Sequence, residues 1–204
     1  MTGNIRLAYM ASGSGSSVEN LVTRIRDDRL TGYESAAIIC NKAQAGIYER
    51  ANRLRVPIHH ASRGEDQLSI LLESRADLVL CLGYLKKVDD VLLDHFKDKV
   101  LNIHPTLLPK HGGKGMYGLT THMSVLQSGD AYTGPTVHML NTEYDEGRML
   151  RQVVVPVPAH LIGNPSEEHA KELQQYVLYE EYRIMTEVLE QIRDGRLKIG
   201  LSLD

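Results

Sequence analysis

The stretch Val100-Leu-Asn-Ile-His-Pro-Thr-Leu-Leu-Pro-Lys110 ends a strand-like run with an amide and an imidazole two residues apart. Side chains alternate along a strand, so Asn102 and His104 share one face while Leu101 and Ile103 share the other. Pro105 biases His104 toward an extended backbone. An amide N–H and a protonated imidazole N–H aimed at one point suit a developing oxyanion, with no nucleophile required of either. Downstream, Thr136-Val-His138 puts a second histidine on a strand, and Glu143-Tyr-Asp-Glu-Gly147 puts Asp145 in a tight turn after it. A carboxylate beside an imidazole raises its pKa and fixes its tautomer, so Asp145 is expected to make His104 a cation near neutral pH. The plainer roles are a turn-capping Asn/His pair, a turn-forming Asp145 with Gly147, and a hydrogen-bonded core histidine at His138.

A second locus is Ser12-Gly-Ser-Gly-Ser-Ser17, followed by Val18-Glu-Asn-Leu21 at the start of a helical stretch. Backbone N–H groups and hydroxyls at a helix N-terminus form a phosphate cradle. No lysine of a nucleotide-triphosphate loop is present, and Val18 stands where a dinucleotide fingerprint needs its third glycine, so a small phosphate monoester fits Gly13, Ser14, Gly15, Ser16 and Ser17 better. A turn that merely joins strand to helix is the plainer reading. His59, His60, His95, His111, His160 and His169 show no zinc-ligand spacing, and no structural metal is expected.

The elements that must position these residues follow from period and punctuation. Strands are expected at Ile5–Ala11, Ser35–Cys40, Ile58–His60, Leu78–Leu82 and Val100–Ile103, with helices at Ser17–Asp28, Ala45–Arg53 and Asp66–Ser74 between them. That alternation predicts a parallel α/β sheet, with the doubly apolar Leu78–Leu82 in the middle. A helix is expected at Leu119–Ser128. Strands Thr136–Leu140 and Leu150–Val155 should return across the acidic turn Asn141–Gly147, and a long helix should run from the cap Ser166 to Arg193 before Gly195. The fold class is thus an open, mainly parallel twisted sheet with helices on both faces, Rossmann-like, with antiparallel strands in the C-terminal part, and residues 1–204 form a single domain.

The chain has 204 residues, 42% hydrophobic and 24% charged, and 23 basic against 26 acidic residues give a net charge of −3. Such a balance gives no field for gripping a phosphate backbone or an anionic membrane, so neither nucleic acid nor membrane is expected as partner. No export signal or membrane span is visible. Cys40 and Cys81 lie inside apolar runs and read as buried free thiols, which fits a reducing cytoplasm.

Taken together, Ser12-Gly-Ser-Gly-Ser16, Asn102-Ile-His-Pro-Thr-Leu-Leu-Pro109, Leu119-Thr-Thr-His122 with Gly129-Asp130, Gly134-Pro-Thr-Val-His138, and Asp145-Glu-Gly147 with Gln152 resemble the folate-dependent formyltransferase family over about three quarters of the chain. Among its members the pattern is most similar to those acting on glycinamide ribonucleotide. The resemblance implies 10-formyltetrahydrofolate as cosubstrate, no metal, and a phosphorylated amine that attacks the formyl carbon directly. It implies that Asn102 and His104 hold the oxyanion, that Asp145 keeps His104 charged and relays the amine proton through water, and that His138 supports them. Gly13–Ser17 would take the ribonucleotide phosphate. Leu85, Lys86, Lys87 and Val88, in the segment after the central strand, and Leu140, Asn141 and Glu143 would meet the folate. Such a protein would act as a monomer or homodimer in the cytoplasm.

Two departures bear on the acceptor. Ser17 replaces the family's usual Asn, and aligning on Tyr182 places Leu178, Tyr179 and Arg183 where the family has the Glu, His and Pro of its ribose-binding stretch. Glu180 or Glu181 is then the stand-in for that Glu. Another amine, such as an amino sugar, and a non-catalytic binding relative are the alternatives. The Gly-rich segment His111–Gly118 is either a flexible cover for the acceptor or a surface loop.

Overall fold

The computed structural model describes residues 3–201. Hydrogen bonding orders the main sheet as Ile58–His60, Tyr33–Cys40, Ile5–Ala11, Leu78–Cys81, Val100–His104, Thr136–Met139 and Met149–Gln152, and a small second sheet pairs Tyr132–Thr133 with Val155–Pro156. The molecule divides into two compact units, residues 1–102 with 189–204, and residues 103–188.

The first unit alternates strand and helix: β1 (Ile5–Ala11), α1 (Ser16–Arg26), β2 (Tyr33–Cys40), α2 (Ile47–Leu54), β3 (Ile58–His60), α3 (Gly64–Glu73), β4 (Leu78–Cys81), α4 (Asp90–His95) and the start of β5 (Val100–His104). Every strand pair here is parallel. The expected middle position of the doubly apolar strand is found: β4 lies between β1 and β5 and all four of its residues are buried, since helical crossovers cover a parallel sheet. Cys40 and Cys81 are buried free thiols, and burial pushes the Cys81 thiol up to about 12, so it stays protonated.

The second unit holds the end of β5, then α5 (Leu119–Ser128), β6 (Tyr132–Thr133), β7 (Thr136–Met139), β8 (Met149–Gln152), β9 (Val155–Pro156) and α6 (Glu167–Arg193), whose last turns belong to the first unit. Its core joins Val125 and Leu126 of α5 to Ala170, Leu173 and Val177 of α6, with Val155, Val157 and Leu161 between. Ser166 caps α6 as expected, its hydroxyl accepting the His169 N–H at 3.1 Å. The expected continuous strand Leu150–Val155 is two strands instead. After Gln152 the chain bends where the Val153 N–H donates to the Pro135 carbonyl at 3.1 Å, and Val155 then pairs with Thr133. The bend leans on Gly134, where a Cβ would come within 1.9 Å of the Val153 carbonyl oxygen. No helix among the described residues is long and apolar enough to cross a membrane.

Candidate active site

β5 delivers Asn102, half-buried, and His104, buried, two residues apart on one strand. The turn after β7 brings Asp145 beside His104. β7 and β8 pair antiparallel with a shift between Val137 and His138, and Asp145 sits in the connection at φ 57, a left-handed conformation that Asp adopts more readily than most residues. Gly147 lets the turn close. A Cβ there would lie 1.8 Å from the Met139 carbonyl oxygen, so any side chain would push Asp145 off its mark.

The expected meeting of acid and ring occurs. Asp145 Oδ2 is 3.7 Å from His104 Nδ1, and Oδ1 is 3.6 Å from His138 Nε2, with both imidazoles at 4% or less exposed. These are ion-pair distances and not hydrogen bonds. The carboxylate is fixed by the Gly113 N–H, which donates to Oδ2 at 2.9 Å. His104 Nε2 donates to the His111 carbonyl at 2.8 Å, and His138 Nδ1 donates to the Met139 carbonyl at 3.1 Å.

The protonation state differs from expectation. Burial lowers the pKa of His104 below the ordinary imidazole value, and the Asp145 charge offsets only part of that loss. His138 is shifted the same way for the same leading reason. Near neutral pH His104 is therefore a neutral ring. Desolvating a cation inside this pocket outweighs a carboxylate that stands just beyond hydrogen-bond reach. A carbonyl can only accept, so the single proton of neutral His104 is on Nε2, and Nδ1 turns its lone pair toward Asp145.

Several residues to which the sequence alone assigned no individual role build the surroundings. His122 on α5 is fully buried, neither ring nitrogen has a partner among the described residues, and burial, helped by nearby His104, pushes its pKa down to about 4. Thr136 Oγ1 donates to the Thr106 carbonyl at 2.8 Å and accepts the Leu108 N–H at 3.2 Å, while Gln152 Nε2 donates to the Leu108 carbonyl at 2.9 Å. These bonds strap the chain after β5 to β7 and β8. His111 belongs to the same strap, and only its place seven residues after His104 signalled it in the sequence. Among the described residues no group of three or more His, Cys, Asp or Glu is arranged to hold a metal ion.

In the first unit, the loop after β1 is held by its own polar groups. The Ser12 hydroxyl donates to Asn41 Oδ1 at 2.6 Å and accepts the Leu85 N–H at 2.9 Å, and the Gly13 carbonyl accepts the Ile47 N–H at 3.2 Å. Helix α1 starts one residue earlier than expected, at Ser16, behind Gly15 at φ 78 with no side-chain cap. A Cβ on Gly15 would come within 2.5 Å of Ile47 Cγ1. Gly13 and Ser14 are exposed and Ser16 and Ser17 half-exposed, so the first-turn N–H groups are open to an anion. In the segment after β4, Leu85 is exposed, Val88 is buried, Lys86 donates to the Ser62 carbonyl and Lys87 lies 4.0 Å from Asp90. In the second unit Leu140 is half-buried, while Asn141 and Glu143 are exposed, the Glu143 N–H donating to Asn141 Oδ1 at 3.1 Å.

On α6, Glu180 is paired with Arg183, whereas Glu181, the next residue, is half-buried and has no ion-pair or hydrogen-bond partner among the described residues. Desolvation pushes its carboxyl up to about 8.

Comparison with known proteins gives a consistent result. The family model described as "Formyl transferase" matches residues 5–189. The chain is 38% identical over 203 residues to the chloroplastic phosphoribosylglycinamide formyltransferase of Arabidopsis thaliana, covering 95% of this chain and 67% of that protein. It is 29% identical over 207 residues to the phosphoribosylglycinamide formyltransferase of Haemophilus influenzae, covering 97% and 92%. In structure it is similar to glycinamide ribonucleotide transformylase 1 from Symbiobacterium toebii, with a TM-score of 0.84 at 31% identity over 96% of this chain and 91% of that one.

Proposed function

This chain belongs to the formyl transferase family, and from that premise we propose that it moves the formyl group of 10-formyltetrahydrofolate to the primary amine of glycinamide ribonucleotide. The observation that carries the reading is the cluster at the end of β5, where Asp145 stands 3.7 Å from the proton-accepting nitrogen of His104. The names of the relatives support the choice of acceptor.

The roles are read from chemistry. As the amine bonds to the formyl carbon, the carbonyl π pair moves to oxygen and the amine must lose a proton. His104 Nδ1 takes it, directly or through water, and Asp145 stabilises the imidazolium that results. Only then can Nδ1 donate to the oxyanion, because Nε2 is committed to the His111 carbonyl. Asn102 is the second donor, His138 stands beside Asp145 with Nε2 3.6 Å from Oδ1 and can share the proton that reaches the pair, and the proton leaves with the folate nitrogen as the carbon–nitrogen bond breaks. The phosphate goes to Gly13–Ser17. The folate meets Leu85–Val88 and the Leu140, Asn141 and Glu143 connection. Glu181, unpaired where Glu180 is engaged, takes the ribose hydroxyls. Residues 1–204 then work as one formyltransferase domain, as a monomer or homodimer, on small molecules and not nucleic acid, as the net charge of −3 supports, and in a cytoplasm, as buried free thiols support.

The test is incubation with 10-formyltetrahydrofolate and glycinamide ribonucleotide, following release of the deformylated folate. Release that depends on glycinamide ribonucleotide is expected. Release only with a different amine, such as an amino sugar, refutes the acceptor, and folate binding without release under any amine refutes the reaction.

A further inference from the structure

We infer that His111 is a positioning residue: its ring, gripped at both nitrogens, aims its own main-chain carbonyl at His104 and so decides which nitrogen of His104 carries the proton. The inference rests on the proposed reaction only for its rate readout. His111 is buried at 4% exposure in the strap after β5. Its Nε2 donates to Asp130 Oδ2 at 2.6 Å, and its Nδ1 shares a hydrogen bond with the Ser124 hydroxyl at 2.9 Å. Ser124 is on α5, and Asp130 follows Gly129, the left-handed residue that ends α5, so one helix holds the ring at two points. Lys110 pairs with the same Asp130. Burial alone would raise the Asp130 pKa, but the hydrogen bonds from Lys110 and His111 outweigh it and keep the carboxylate ionised.

A ring fixed in this way fixes the backbone it hangs from. The His111 carbonyl accepts from His104 Nε2 at 2.8 Å and from Thr106 Oγ1 at 3.2 Å. Two residues on, the Gly113 N–H holds Asp145 Oδ2 at 2.9 Å. Gly112 between them has no room for a side chain, since a Cβ would come within 2.5 Å of Leu108 Cδ2 and 3.2 Å of Asp145 Cβ. The two residues either side of Gly112 thus reach both members of the acid–imidazole pair. Neutral imidazole has two tautomers of similar energy in water, and only the Nε2–H form leaves Nδ1 able to take a proton beside Asp145. Loosening the carbonyl lets the second tautomer in, with Nδ1 already protonated and Nε2 turned away from the reaction.

His111→Phe keeps the carbonyl and the ring volume while removing both ring hydrogen bonds, and Ser124→Ala removes one of them. In ¹⁵N-histidine-labelled protein, the wild type is expected to show His104 as the Nε2–H tautomer, and His111→Phe a mixture of both. In formyl transfer, His111→Phe is expected to lower kcat about 10–100-fold with KM within about twofold, as loss of a group orienting a reacting one does. Ser124→Ala should shift both readouts the same way by less, and it reports on the inference if His111→Phe does not fold. An unmixed Nε2–H tautomer in both variants, or in Ser124→Ala where His111→Phe does not fold, overturns the inference. A wild-type protein that transfers no formyl group while its His104 tautomer still depends on the residue at 111 or 124 overturns the proposed function and leaves this inference standing.

Discussion

His122 supplies a stability prediction worked from one side chain. Its ring is fully buried on α5, both nitrogens lack partners among the described residues, and its pKa falls from 6.5 to about 4. The folded state therefore binds this proton less readily than the unfolded chain. Stability is intact above pH 6.5, is lost as pH falls through the window from 6.5 toward 4, and levels off below it. At about 1.36 kcal/mol per unit the full loss is about 3 kcal/mol, of which about 2 kcal/mol is gone by pH 5. His122→Leu keeps similar volume, removes the titration and removes two unsatisfied polar atoms, each group of that kind costing roughly 1–3 kcal/mol. Urea unfolding followed by far-UV circular dichroism at pH 7, 6 and 5 should show the variant at least as stable as wild type at pH 7, with the gap widening in its favour by about 2 kcal/mol at pH 5. His104 and His138 remain in both proteins, so the difference isolates one proton. Parallel stability–pH curves for the two proteins would refute the reasoning.

Other predictions concern the site itself. Asn102→Ala should lower turnover on the order of 10²–10³-fold, as loss of one oxyanion donor does, and His104→Ala by at least as much, since it removes the proton acceptor together with a donor; a thermal melt should show both proteins still folded. Above about pH 8, where the Glu181 carboxyl is ionised, Glu181→Gln should raise the KM for glycinamide ribonucleotide about tenfold or more while leaving that for the folate unchanged, since a charged hydrogen bond contributes about 1.5–3 kcal/mol. Because desolvation pushes Glu181 up to about 8, acceptor KM in the wild type should fall as pH rises through that value, and the variant should lose this dependence in steady-state assays. Gly147→Ala should destabilise the turn by more than about 1 kcal/mol and cost activity together with stability, because its methyl group has no space beside the Met139 carbonyl; chemical denaturation and turnover measured on one preparation check both.

Much of the scaffold could be read from residue pattern because its elements are long and periodic. β1, β3 and α5 run between the expected residues, and α6 starts one residue after its expected cap. What escaped was short. α4 spans six residues and β6 and β9 two each, too few to show a period, and the strand-like stretch Leu150–Val155 concealed a bend set by Gly134 and Pro135. At the site, the turn around Gly147 was enough to foresee that Asp145 stands beside His104. The charge on His104 was not foreseeable, because a sequence shows that a carboxylate is present but not how much water the fold removes from the ring. His111 escaped for a different reason: its contact with His104 is made by a carbonyl that every residue possesses.

That carbonyl has a consequence for redesign. Transplanting a loop from a relative to alter acceptor choice is commonly planned by matching letters, and a graft could preserve each letter of the strap yet reroute its main chain by an ångström. The oxygen at position 111 and the amide at 113 would then miss their targets with no mutation to blame. What such a transplant has to conserve is the path of the peptide between Pro109 and Gly113, and that path is written as much in Ser124 of α5 and in Asp130 just after it as in the loop being exchanged.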